Sequence, residues 1–158
     1  MKAIVIYDSR AGKTEKMAKA IAEGASSVEG VSVEVRKIGE MFPLSILADA
    51  ELAFFGSPVI YADVTDEFRS FIDHLKRFIE DGKMSMKGKT AAVFGSYGFD
   101  GAWIMEERMK RMLGSLGYKV HDKVCVETAD ALSFRPERAL ENCRRFGKEI
   151  AEAARRGR

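Results

Sequence analysis

Residues 7–14 read YDSRAGKT and lie between an apolar run, AIVI, and a segment of helical periodicity. Ser9, Gly12 and Thr14 are residue types that grip an anion. Hydroxyls donate to oxygen, and a glycine lets consecutive backbone N–H groups come close at a helix N-terminus. Gly12-Lys13-Thr14 also ends like the GxxxxGK[ST] loop of nucleoside triphosphatases. Counting back puts Tyr7 where the first glycine of that loop must stand, and Tyr7 also closes the apolar run. The loop is too short to wrap a di- or triphosphate. No strand ends in the Asp that would hold Mg²⁺; the third ends in Gly-Ser. What is left is a tight turn suited to one small anion. The same hydroxyls would also serve as helix caps.

Two further stretches carry site-like residues. GSPVIYAD, residues 56–63, sets a stiff Gly-Ser-Pro turn ahead of the flat ring of Tyr61. GSYGFDGAW, residues 95–103, holds three glycines with Tyr97, Phe99 and Trp103. Glycines there expose backbone donors and acceptors to a planar heterocycle, and aromatics suit stacking on its face. Any one of these rings would also fit ordinary packing; three such loops at three strand ends make a site.

The elements that position them alternate. Strands are expected at 2–7, 31–37, 51–56, 89–95 and 118–126. Helices are expected at 14–26, 65–80, 101–116 and 136–155, with a short helical turn over 43–48. Such alternation implies one parallel sheet covered on both faces, with right-handed crossovers. In that architecture ligands sit at the carboxyl ends of the strands, where the winding reverses. The loops near Asp8, Gly56 and Gly95 are the ones so placed.

A length of 158 residues with 46% hydrophobic and 32% charged residues suits a single domain over 1–158. Short apolar runs and a net charge of +2, mixed along the chain, indicate neither a membrane nor a nucleic-acid partner. The N-terminus lacks a signal-peptide pattern, so a cytoplasmic location is expected. Cys125 and Cys143 read as small buried residues, and His74 and His121 show no metal-ligand spacing, so no metal is expected. A phosphorylated receiver domain would need an acidic cluster after the first strand, where Asp8 stands alone.

Taken together, YDSRAGKTEKMAKAIAEG, GSPVIYADV and FGSYGFDGAW resemble the flavodoxin family. They are most similar to the flavodoxin-type domain of flavodiiron proteins, without a diiron domain. The resemblance covers essentially the whole chain and fits the short-chain group. It implies a flavodoxin-like three-layer sandwich with a five-stranded parallel sheet in the order 2-1-3-4-5. It also implies non-covalent FMN, electron transfer between redox protein partners, and a monomer or weak homodimer. By the same resemblance, Ser9, Arg10, Ala11, Gly12, Lys13 and Thr14 would bind the FMN phosphate. Ser57, Pro58, Val59, Ile60 and Tyr61 would line one side of the isoalloxazine. Ser96, Tyr97, Gly98 and Phe99 would line the other and bond the ring's pyrimidine edge, and Asp100 and Gly101 would close that loop near the ribityl chain or start the next helix. No side chain is assigned a catalytic role. The alternative on the same fold is an FMN-dependent NAD(P)H or quinone reductase.

Three departures from the family pattern stand out. Ala11 occupies a position where many members carry a hydroxyl, while Arg10 and Lys13 add charge that is expected to face solvent. Many members also have a glycine in the second loop whose peptide turns towards flavin N5 on one-electron reduction. Residues 57–63 contain none, which implies weak stabilisation of the one-electron form. Finally, many members are strongly acidic. Here acidity is expected only locally, as a rim of Asp63, Asp66, Glu67 and Asp100.

Overall fold

The structure, a computed structural model, describes residues 1–98 and 101–157. Five strands, β1 (Lys2–Tyr7), β2 (Ser32–Lys37), β3 (Leu52–Pro58), β4 (Thr90–Tyr97) and β5 (Lys119–Thr128), form one sheet. Its order is β2-β1-β3-β4-β5 and every pairing is parallel. The helices are α1 (Lys13–Ser26), α2 (Ser45–Asp49), α3 (Asp66–Glu80), α4 (Ala102–Ser115), α5 (Ala129–Phe134) and α6 (Pro136–Arg156). Among the described residues, no helix is long and apolar enough to cross a membrane.

β1, β3 and β4 are nearly continuous apolar runs because both their faces are covered. Successive side chains point to opposite faces, so neighbours in the chain enter different cores. Val5, Phe54 and Phe94 pack with Met17 and Ile21 of α1 and with Phe146 and Ile150 of α6. Ile4, Phe55 and Val93 pack on the other face with Phe68 and Leu75 of α3 and with Met105 and Leu113 of α4. The edge strand β2 alternates exposed with half-buried residues over most of its length.

α1 and α6 cross closely. A Cβ on Gly147 would lie 2.1 Å from the carbonyl oxygen of Ile21, and one on Gly24 would lie 1.9 Å from that of Arg144. Only glycine permits that approach. It braces the helix that follows the first loop against the last helix of the fold.

The register aligns the functional ends of the strands. Tyr7 stands opposite Gly56, Gly56 opposite Phe94, and Phe94 opposite Cys125. All three candidate loops therefore leave the same edge of the sheet. β3 and β4 run further than their apolar stretches, because Ser57 pairs with Gly95 and Pro58 with Ser96. Ser57, Pro58 and Ser96, expected in loops, belong to strand ends. β5 likewise continues to Thr128, whose hydroxyl then caps α5 by accepting from Ala131 N at 3.0 Å. The short helix α5 was not expected. Cys125 and Cys143 are buried as free thiols, with sulfurs 3.7 Å apart between β5 and α6.

Candidate functional site

β1 delivers Asp8 and Ser9 to the first loop. Gly12 is left-handed, at φ 85 and ψ −5, and is the N-cap of α1 without a side-chain cap. A Cβ there would meet nothing within 4 Å, so the requirement for glycine is conformational. Ser9 Oγ accepts from Gly12 N at 3.1 Å, closing the turn. Thr14 lies inside the first turn, and its buried hydroxyl is 2.9 Å from that of Ser96. Neither Ser9 nor Thr14 therefore serves as the cap of α1. The uncapped N-terminus leaves amides facing a concave turn, an arrangement that fits a phosphate. Ala11 is exposed at the tip of the loop. Arg10, expected to face solvent, is exposed and pairs there with Glu67 of α3 at 3.2 Å.

The second loop is tied from beneath. Asp8, Thr65 and Ser57 are all buried. Thr65 Oγ1 donates to Asp8 Oδ2 at 2.5 Å and accepts from Phe68 N at 3.2 Å, so it caps α3 while tying down the Asp8 carboxylate. Ser57 Oγ accepts from Thr65 N at 3.1 Å and donates to Pro58 O at 2.9 Å. Asp8 N in turn donates to Gly56 O at 3.0 Å. The Ser57 hydroxyl, expected beside the ring, is thus committed to the frame of the site. Asp8 was not among the expected site residues; its position after the first strand was the one available signal.

Past this frame the chain makes a tight turn. Ile60 and Asp63 exchange backbone hydrogen bonds of 2.8 and 3.0 Å across Tyr61 and Ala62. Those two residues have φ of 49 and 62, the double left-handed geometry of a type I′ turn. Neither is glycine, so each carries about 1–2 kcal/mol of strain. Asp63 holds the turn. Its Oδ1 accepts from Val64 N at 2.8 Å, and its Oδ2 accepts from Arg108 at 2.7 Å and also from Arg69. Burial alone would raise the Asp63 pKa, but the Val64 amide and the two guanidiniums outweigh it and hold the carboxyl below its ordinary range. Pro58, Val59 and Ile60 are half-buried, while the Tyr61 side chain is 99% exposed.

The third loop touches the second. Val59 N donates to Ser96 O at 2.8 Å. Gly101 is left-handed at φ 82 and is the N-cap of α4. A Cβ on it would come 2.9 Å from the Cβ of Ala62, so both its backbone and its space demand glycine. Tyr97 is half-buried and Gly98 exposed. Trp103, in the first turn of α4, is 68% exposed. Phe99 and Asp100, expected beside the ring and at the loop closure, lie outside the described residues. The expected acidic rim carries its own counter-charges, since Asp63 meets two arginines and Glu67 meets Arg10.

Residues 5–145 match the family model for flavodoxin. The chain is 33% identical over 150 residues to a flavodoxin of Clostridium beijerinckii, a match covering 93% of this chain and 97% of that protein. It is 31% identical over 157 residues to an uncharacterized protein of Methanocaldococcus jannaschii. That match covers 96% of this chain but only 36% of the relative, so the chain spans about a third of that protein's length. A solved flavodoxin from the domain Archaea superposes with a TM-score of 0.79 at 29% identity, covering 98% of this chain and 99% of the other.

Proposed function

The chain belongs to the flavodoxin family, whose members bind FMN and transfer electrons, and on that premise we propose that it carries electrons between two redox proteins in the cytoplasm. It works as a monomer or weak homodimer. FMN, when bound, supplies the electron chemistry, and the chain supplies grip, orientation and electrostatics.

The observation that carries this reading is the meeting of the Thr14 and Ser96 hydroxyls beside the left-handed Gly12 turn at the open N-terminus of α1. Two polar groups from distant loops and the α1 amides there suit a phosphate monoester. Ser96 thereby joins the phosphate side of the site rather than the ring's edge. Thr14 and Ser96 hold the anion together with backbone amides of residues 10, 11, 13 and 14. Ser9 and Gly12 shape the turn around it. Pro58, Val59, Ile60 and Tyr61 flank one side of the ring, and Tyr97 and Gly98 the other. Ser57 positions this wall through Thr65 and Asp8. No side chain in this arrangement needs to act as an acid or a base.

Adding FMN to the purified chain tests the reading. A perturbed visible spectrum and quenched flavin fluorescence at one equivalent are expected. Absence of binding at micromolar FMN overturns it. Rapid turnover of NADH or NADPH by the loaded protein alone would replace the carrier by the reductase.

A further inference from the structure

A groove of about 340 Å³ opens beside the second loop, with walls from α3 and α4. Arg69, Arg108, Arg111, Met112 and Ser115 line it together with Asp63. Three arginines thus share the groove with one carboxylate, and that carboxylate is already shared by Arg69 and Arg108. Asp63 sets the direction of both arginines, yet their side chains stay 46% and 48% exposed. Arg111 is exposed as well. A planar fork held by one carboxylate keeps N–H groups free for a second. Some acidic groups of α3 and α4 are offset locally. Glu67 is bound by Arg10, and Glu107 lies 3.7 Å from Lys110. Asp66 sits in the first turn of α3, where the helix dipole opposes its charge. Burial moves the Glu106 pKa above its ordinary value, against the pull of Lys110.

The groove adjoins the large exposed rings of this edge. Asp63 directly follows Tyr61 and Ala62, and Ala62 lies against Gly101, two residues before Trp103. Exposed aromatics flanked by arginine have the composition of a binding surface.

We propose that the groove formed by Arg69, Arg108 and Arg111 docks an acidic electron-transfer protein, whose carboxylates meet the arginines while its redox centre lies over Tyr61 and Trp103. This inference rests on the FMN reading for its purpose but not for its charge. Partner choice here runs opposite to that of a carrier with an acidic face, which meets basic partners.

The test uses the FMN-loaded, fully reduced chain with two one-electron oxidants, anionic ferricyanide and cationic hexaammineruthenium(III). Each oxidant ion removes one electron from the flavin. The ferricyanide rate constant is expected to fall as salt rises, and to fall several-fold at low salt in Arg111→Gln, while Arg111→Lys restores it. Hexaammineruthenium should show neither effect. A polyglutamate peptide should slow the ferricyanide reaction, and polylysine should not. A ferricyanide rate that rises with salt, or that ignores Arg111→Gln, overturns the proposal. So does indifference to polyglutamate, which would mark a site for small anions only, or self-association of the chain through this face. If the chain takes no FMN, the functional reading fails by itself. The groove is then judged by NMR titration with the polyglutamate peptide. Shifts of the Arg69, Arg108 and Arg111 Nε–H signals support it, and their absence overturns it.

Discussion

The hydroxyls of Thr14 and Ser96 lie 2.9 Å apart, although 82 residues separate them in the chain. One must donate to the other, so one hydroxyl proton of the pair remains for an outside acceptor. The two loops are thus joined before any ligand arrives, and the free proton is already aimed by the shared bond.

Removing either hydroxyl should weaken FMN binding without unfolding the protein. A hydrogen bond to a charged group contributes about 1.5–3 kcal/mol, roughly tenfold or more in affinity. Ser96→Ala and Thr14→Val are each expected to raise the FMN dissociation constant about 10–100-fold by fluorescence titration. The double variant should lose less than the two losses combined, because each single change already breaks the shared bond.

The Tyr61–Ala62 turn should respond to glycine in the direction opposite to most loop positions. Ala62→Gly removes about 1–2 kcal/mol of left-handed strain and adds about 0.5–1 kcal/mol of chain entropy. A small gain in unfolding free energy is expected by denaturant titration. On the proposed placement of the ring, the same variant frees the peptide beside it. The unmodified loaded protein is expected to reduce in a nearly two-electron manner. Ala62→Gly should raise the population of the one-electron form in a reductive titration.

Gly101→Ala should be harmful by two routes. Its φ of 82 disfavours any side chain, and the new methyl would stand 2.9 Å from the Cβ of Ala62. Melting temperature and FMN affinity should both drop, since the second and third loops are forced apart. Gly114→Ala serves as the control: a Cβ there meets nothing within 4 Å inside α4, so the melting temperature should hold or rise.

Asp63 gives the second loop an acid-sensitive tie. Its carboxyl is held below the ordinary range despite its burial, by Val64 N–H, Arg69 and Arg108. A group lowered on folding contributes stability that is present above its unfolded value, about 3.9. That contribution is lost as pH falls through the folded value. Asp63→Asn should therefore be less stable than the unmodified chain near neutrality. The gap should close as acidity increases, as followed by urea unfolding at a series of pH values.

The buried thiols should be inert in the native protein. The neighbouring Cys125 thiol, and then burial, push the Cys143 thiol well above the ordinary range. Thiol-specific reagents attack the thiolate. Both cysteines should react slowly at mildly alkaline pH in buffer and rapidly in denaturant, at rates that report opening of the contact between β5 and α6.

Much of the fold is legible in the residues because β1, β3 and β4 are buried on both faces and so read as unbroken apolar runs. The amphipathic helices α3 and α6 show their 3.6-residue period over 15 and 21 residues. α5 is hidden because six residues are too few for a period to emerge. The ends of β3 and β4 are set by each other's pairing, which no local pattern contains. The site divides in the same way. Residue types at the strand ends are visible, but meetings are not. Asp8 finds Thr65, and Arg10 finds Glu67, each 57 residues downstream. Arg108 reaches back 45 residues to Asp63. Such pairs follow from the sheet order, so the counter-charged rim becomes visible only once the strands are in place.

The crossing of α1 with α6 sets a timetable for synthesis. Ser96 leaves the ribosome 82 residues after Thr14, which takes roughly 4–16 s at about 5–20 residues per second. The chain then has both halves of the hydroxyl pair, but Gly147 has not yet been made to seat against Ile21. Until it is, the second half of α1 lacks the neighbour that seats it against the fold. Cofactor capture therefore waits for α6, and a nascent chain halted after β4 should emerge colourless even when FMN is plentiful.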